Sequence, residues 1–368
     1  MSQYNSALET SMVAAMEVRR SANLPRFDGD IVFPDHAGDF FSNDYLSISK
    51  LPSHSLSSSA QPVHAAICGT TPHHVSLERY FAQQFDVEAA MIFNGGYMAN
   101  LTFFGYAPQP GDHNSLIDLE IKLQQIAPST LFVVLESVYS MDGDFAPMED
   151  ILDMVDKYIP PQSAHIAVDE AHSYRALSVH EARVSLRAWG LEKRVHTCHL
   201  PLTKGVNFIG GVVTTTHTVY QYLSNYARSW LFATSLPHVD VVGIKFCFEV
   251  MQSEEAEELR KKVAHNAYFF MKHFQEQTRE FPRSNLNGRG LISPVFPVHT
   301  LKAVSLQDHL VKYGYAAHAI VYPGVPQGQD RVRVVIHGGN SEAEIRAFVK
   351  TLRAWALMQM PQTIQARL

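Results

Sequence analysis

The chain has 368 residues, 46% hydrophobic and 18% charged, a globular composition long enough for two domains. A net charge of −6 offers no basic footprint for nucleic acid, and no apolar run approaches membrane-spanning length. Three scattered cysteines, Cys68, Cys198 and Cys247, make neither a disulfide framework nor a zinc site and fit a reducing compartment.

The first twenty residues, MSQYNSALETSMVAAMEVRR, lack a signal-peptide core and read as an amphipathic helix. Ser53–Pro62 is a Ser-rich, loop-like stretch. Short apolar runs at Ala89–Phe93, Leu131–Leu135, His165–Asp169, Val195–Leu200 and Gly210–Thr216 predict strands. Between two of them, Met148, Ile151, Leu152 and Val155 fall at helical spacing. This alternation predicts an α/β domain on a mainly parallel sheet. From Pro237 to Phe274 the pattern is mostly helical. Then LISPVFPV, AAHAIVY and RVRVVIH read as strands, closed by an amphipathic helix in SEAEIRAFVKTLRAWAL, which predicts a smaller α+β domain. The expected division is an N-terminal helix and arm over 1–42, a large domain over 43–275 and a small one over 276–368. The terminal Ala366-Arg367-Leu368 is a variant of the peroxisomal address, so a peroxisomal location is expected.

Five stretches carry candidate chemistry. In FNGGYMAN, Gly96 and Tyr97 follow a strand and open a helical run, where backbone N–H groups can meet a phosphate. Ser140 lies past the strand that ends at Glu136. In HIAVDEAHSY a buried run breaks into Asp169, Glu170 and His172, and the carboxyl ends of strands are where open α/β sheets gather function. Asp169 suits a protonated ring nitrogen, and His172 an oxygen of the same ring. Lys204, on a turn between two strands, suits an amine nucleophile. Arg331 and Arg333 share one face of a strand, and one of them can grip a carboxylate, an ordinary edge-strand arginine being the alternative. Each feature taken alone also fits an ordinary turn, strand end or surface charge.

Their order resembles a fold-type I pyridoxal-phosphate enzyme. FFSNDYLSIS, HVSLERYFAQQF, FNGGYMAN, ESVYSMDGDFAPMEDI, VDEAHS, TKGVNFIGGVV and FATSLP together are similar to the α-oxoamine synthases, from Phe40 onward. The resemblance implies that Lys204 forms a Schiff base with the cofactor and, when freed, takes the substrate's α-proton. It implies that Asp169 pairs with the pyridine nitrogen, that His172 and Ser140 hold the ring-oxygen side, and that Gly96 and Tyr97 lie along the cofactor. Thr234 would reach a phosphate across a homodimer interface, Asn43 would sit near the substrate, and Arg333 would hold the amino acid's carboxylate. The implied reaction is a decarboxylating condensation of an amino acid with an acyl-CoA. Within that family the terminal Ala-Arg-Leu inclines the reading to the 8-amino-7-oxononanoate synthases of the biotin pathway, which join L-alanine to pimeloyl-CoA. A polyketide pathway using a carrier-bound acyl chain, and a degenerate non-catalytic partner subunit, are the alternatives.

The sequence departs from the family in three places. PQPGD (Pro108–Asp112) runs straight into HNSLIDLEIKL, so the family's strand–turn–helix segment bearing a histidine stacked on the cofactor is expected to be missing. His113 belongs by register to the later motif, which leaves His74 and Tyr97 as the nearest stacking substitutes. QPVHAAIC replaces a Gly-rich stretch before Gly69, and Pro201 stands where the family has a phosphate-binding Thr. Weak cofactor binding and at most poor catalysis are the expected consequences.

Overall fold

The computed structural model describes residues 38–39, 72–104, 115–125, 131–174, 190–216, 236–278 and 292–359, together with single positions between 186 and 230. The amphipathic helix expected over the first twenty residues, the Ser53–Pro62 loop, Asn43, Thr234 and the terminal Ala366-Arg367-Leu368 lie outside the described residues. The chain forms two compact units. One gathers 42–296 and 335–349, the other 1–41, 297–334 and 350–368.

The larger unit is built on five strands: β1 (Ala89–Phe93), β2 (Leu131–Glu136), β3 (Ala164–Asp169), β4 (Thr197–Pro201) and β5 (Gly211–Thr215), in the order β1-β5-β4-β3-β2. Pairs β2–β3 and β3–β4 are parallel, while β5 runs antiparallel to both β1 and β4. The sheet is therefore mostly parallel with one reversed strand. The reversal follows from chain length. The turn from Pro201 to Gly211 is too short for the crossover of roughly a dozen residues that a parallel return needs.

Helices cover both faces. Side chains alternate along each strand. Ala90, Ile92, Val133, Ile166, Val168, Leu200 and Val212 point to one face. There they pack with Leu77, Phe81 and Phe85 of α1 (Pro72–Phe85) and with Met148, Ile151, Leu152 and Val155 of α4 (Met148–Tyr158). Phe248 of α5 (His238–Val250) closes this core, its ring edge-on to Phe81 at 4.6 Å between centroids. On the other face, Met91, Phe93 and Val213 pack against Ala99 of α2 (Gly96–Phe104), and Phe93 meets Trp230 at 5.0 Å. Strands β1 and β5 are buried throughout.

Edge strand β2 is different. On the α2 face of the sheet its Phe132 and Val134 are 39% and 43% exposed. Between α2 and β2 the described residues hold one helix, α3 (Leu116–Gln125), and no strand, as the short PQPGD–HNS junction leads one to expect. Long helix α6 (Glu254–Thr278) follows α5. A three-stranded sheet, β6 (Val295–His299), β7 (His318–Ile320) and β8 (Arg331–Val335), has the order β6-β8-β7 and is accompanied by α7 (Ala303–Lys312) and α8 (Glu342–Gln359).

One buried acid in this frame makes stability depend on pH. Glu78 of α1 is buried, and its Oε1 accepts the Ile92 N–H at 3.3 Å. Burial pushes its pKa up to about 7, with the Ile92 bond opposing. The unfolded chain releases this proton near 4.5 and the folded protein near 7, so the group's contribution falls as pH rises through that window. Glu78→Gln keeps the acceptor and removes the titration. Urea unfolding at pH 4.5 and 7.5 is expected to show the variant gaining up to about 3 kcal/mol on the wild type at the higher pH. A gap between the two proteins that stays constant with pH would contradict this.

Candidate active site

The polar residues picked out in the sequence converge on the carboxyl edge of the larger sheet. Register sets Glu136, Asp169 and His199 side by side on β2, β3 and β4, on the same face as Val213 and Met91. That face is the one covered by α2.

The abrupt end of the HIAVD run divides the work between its two acids. Glu170 is fully buried and pins the turn. Its N–H donates to the His199 carbonyl at 2.9 Å, and its carboxylate accepts the Leu186 N–H at 3.1 Å and the Ser173 hydroxyl. The Glu170 carbonyl takes the Tyr174 N–H at 2.9 Å. Asp169 is held at both oxygens. Oδ1 accepts the Ala171 N–H at 2.8 Å, and Oδ2 accepts Nδ2 of Asn100 on α2 at 2.8 Å. Burial raises the Asp169 pKa, while the Asn100 bond, the nearby Lys204 ammonium and the Ala171 N–H pull it back. His172, on the same turn, is buried.

Lys204 rides on the turn from β4 to β5, half-buried, with Thr203 beside it exposed. Main-chain bonds build this turn: Leu202 N–H to the Gly210 carbonyl at 3.0 Å, Phe208 N–H to Leu202 at 3.0 Å, and Asn207 N–H to Lys204 at 2.9 Å. Asn207 takes a left-handed φ of 54°, which Asn tolerates. Gly243 of α5 makes room for the Phe208 ring, because a Cβ there would stand 2.3 Å from Cζ.

At α2, the first helical bond runs from Ala99 N–H to the Gly95 carbonyl at 3.1 Å. The N–H groups of Gly96, Tyr97 and Met98 therefore have no partner within the helix, which makes this end suited to an anion. A Cβ on Gly96 would lie 2.4 Å from Cβ of Pro201, so the helix packs directly on β4 where the family carries a phosphate-binding Thr. A Cβ on Gly95 would meet nothing within 4 Å. Ser140 follows β2, its N–H donating to Glu136 Oε2 at 3.2 Å.

Gly96, Tyr97, Ser140, Asp169, His172 and Lys204 thus share one sheet edge. Of the two stacking substitutes, His74 is buried with Nε2 on the Leu236 carbonyl at 2.9 Å, and Tyr97 is 78% exposed. Arg331 and Arg333 belong to the other unit. They lie on β8, the middle strand of its sheet, and both are buried. Arg331 donates through Nε to the Gln329 carbonyl at 3.0 Å.

Asn100 escaped the reading of the sequence. Its signal is an amide one helical turn after Gly96 in the otherwise largely apolar GYMANLTFF. Among the described residues no His, Cys, Asp and Glu cluster suits a metal ion, and no helix is long and apolar enough to cross a membrane. Burial pushes the Cys198 thiol well up and Cys247 to about 11, so neither is a ready nucleophile.

Comparison with known proteins shows the resemblance over most of the chain. The chain is 27% identical over 392 residues to 8-amino-7-oxononanoate synthase of Emericella nidulans, covering 92% of this chain and 93% of that protein. It is 26% identical over 371 residues to 5-aminolevulinate synthase of Rhizobium meliloti, covering 88% and 87%. Serine palmitoyltransferase of Sphingomonas wittichii superposes with a TM-score of 0.77 at 19% identity, covering 98% of this chain and 100% of that one, and shares the fold. The model of the class I and II aminotransferases matches residues 92–352, which span β1, α2, Asp169, Lys204 and Arg333. With its mostly parallel sheet, its lysine turn and its carboxylate at the strand end, the chain belongs to the aminotransferase class I and II family of fold-type I pyridoxal-phosphate enzymes.

Proposed function

We propose that this chain is a pyridoxal-phosphate-dependent acyltransferase that joins an amino acid to an acyl thioester with loss of carbon dioxide. The observation that carries the reading is the placement of Asp169, at the end of β3, and Lys204, on the turn after β4, at one carboxyl edge of the sheet, beside α2. The residues there fit the cofactor. First-turn amides at Gly96 and Tyr97 suit its phosphate, Asp169 its protonated ring nitrogen, Lys204 its aldehyde carbon, and His172 and Ser140 its ring oxygen. Pro201 offers no hydroxyl, so the phosphate grip rests on the amides and on Thr234 of a second subunit in a homodimer.

When bound, the cofactor supplies an electron sink for the pair left on the substrate's α-carbon. Lys204 would hold the cofactor at its aldehyde carbon, and its Nζ, once free, would take the proton from the substrate's α-carbon. Asp169 keeps a proton on the ring nitrogen. Arg333 grips the substrate carboxylate and Asn43 borders the substrate. The α-carbon bonds to the thioester carbonyl, the C–S bond breaks and the thiolate leaves. The bond to the carboxylate carbon then breaks, carbon dioxide departs, and Lys204 returns its proton to the α-carbon.

Near full-length similarity to an 8-amino-7-oxononanoate synthase supports L-alanine and pimeloyl-CoA as the substrates. The test is a titration with pyridoxal phosphate followed by a panel of amino acids. An absorbance change produced by L-alanine at lower concentration than by glycine or L-serine is expected. A preference for glycine or L-serine would reassign the amino acid.

Arg333→Ala is expected to raise the KM for the amino acid by about 10- to 100-fold, the worth of one charge-assisted hydrogen bond, while the acyl donor's KM changes far less. Equal effects on both substrates would remove Arg333 from the carboxylate role.

A further inference from the structure

Helix α2 bears on the candidate site at two points. Its first turn offers amides at Gly96 and Tyr97, and one turn later Asn100 reaches Asp169. The geometry of Asn100 is one-sided. Nδ2 lies 2.8 Å from Asp169 Oδ2, whereas its own Oδ1 is buried with no hydrogen-bond partner. An amide turned this way donates to a carboxylate. Both Asp169 oxygens face N–H donors, so a proton on either one would meet a donor and not an acceptor. An ionised carboxylate accepts from both donors at once, so the pair of contacts suits the charged form of Asp169.

The position of Asn100 has a second consequence. Gly96 is packed on Pro201, with no room there for a Cβ. Helix α2 is thereby fixed against β4, and Asn100 carries that fixed frame to Asp169 on β3. The other oxygen of Asp169 is taken by the Ala171 N–H from its own turn. The carboxylate is thus held at both oxygens, by α2 and by its own turn. Three groups bear on its charge: the Asn100 amide, the Lys204 ammonium and the Ala171 N–H, all favouring the anion against burial.

We propose that Asn100 is a positioning residue, whose side-chain amide aims Asp169 and holds it ionised for a cationic ring nitrogen. The role rests on the function proposed above, but its first half is a property of the protein alone.

The test uses the full chain and Asn100→Ala, with Asn100→Ser as the variant that keeps a donor. The Asp169 carboxyl is followed by carbon NMR in cofactor-free protein, its signal assigned by loss in Asp169→Asn. Its pKa is expected to rise by about one unit in Asn100→Ala, the worth of one hydrogen bond to a charged group, and to return part of the way in Asn100→Ser. Pyridoxal phosphate is then titrated. Its Kd is expected to rise about tenfold in Asn100→Ala. The absorbance band of the lysine-bound cofactor is expected to titrate at a shifted pH, which a merely structural role would leave in place. Thermal melts of the cofactor-free variants check that the fold persists. An unchanged Asp169 pKa in Asn100→Ala overturns the proposal whatever the cofactor does. A raised pKa with unchanged Kd and band overturns its second half. If the wild type shows no band that depends on Lys204, the proposed function fails instead, and the carboxyl titration still decides whether Asn100 holds Asp169 ionised.

Discussion

Lys204→Ala is expected to abolish turnover and the absorbance band of the bound cofactor while the protein still folds. Deleting the covalent partner and proton carrier of such a reaction costs on the order of 10⁴-fold or more in kcat. The fold should survive, because the bonds that shape the turn are main-chain bonds among Leu202, Lys204, Asn207, Phe208 and Gly210, and the lysine side chain makes none of them. Lys204 is also half-buried, and no apolar cluster depends on it. Turnover, the band and a thermal melt measured together separate the two effects. Normal turnover by the alanine variant would show that Lys204 is not the covalent residue. A collapsed melt would show that the turn needs its side chain.

Asp169→Asn is expected to lower kcat by about 10³-fold, the scale seen when one preorganised group is removed from a reacting centre. That loss corresponds to about 4 kcal/mol of transition-state stabilisation. A neutral amide cannot keep the ring nitrogen protonated, so the electron sink weakens. The substitution also turns one acceptor into a donor, beside Nδ2 of Asn100 and the N–H of Ala171, both of which now donate to the carboxylate. Unchanged kcat in this variant would place the charge partner elsewhere, with Glu136, its register neighbour on β2, as the next candidate.

Much of the larger sheet was legible because its apolar runs are short and bounded. β1 spans Ala89–Phe93 as its sequence predicts, and β3 starts one residue earlier than the expected His165 and ends with it at Asp169. The run expected at Val195–Leu200 begins only at Thr197 and takes in Pro201. The short helical turn Glu192–Arg194 delays its start, and Pro201 ends it opposite Gly211. Strand direction was not legible from hydrophobicity, which is the same in β5 whichever way it runs. The length of the Lys204 turn held that information. The site was legible where a residue type names its own chemistry, as with Lys204 and Asp169. Asn100 was not, since an amide in an apolar helix acquires meaning only when the sheet brings Asp169 to it from 69 residues away. For Arg333 the sequence left an ordinary edge-strand arginine open as the alternative, whereas the middle strand β8 buries both its faces.

The most direct measurement of the proposed reaction is its stoichiometry. The full chain, saturated with pyridoxal phosphate, is supplied with L-alanine labelled at the carboxyl carbon and with pimeloyl-CoA. Free CoA thiol and labelled carbon dioxide are followed in the same sample, beside Lys204→Ala. One CoA and one carbon dioxide per turnover, both lost in the variant, are the expected result. Carbon dioxide without CoA, or amino-group transfer to a keto acid with neither product released, would contradict a decarboxylating condensation.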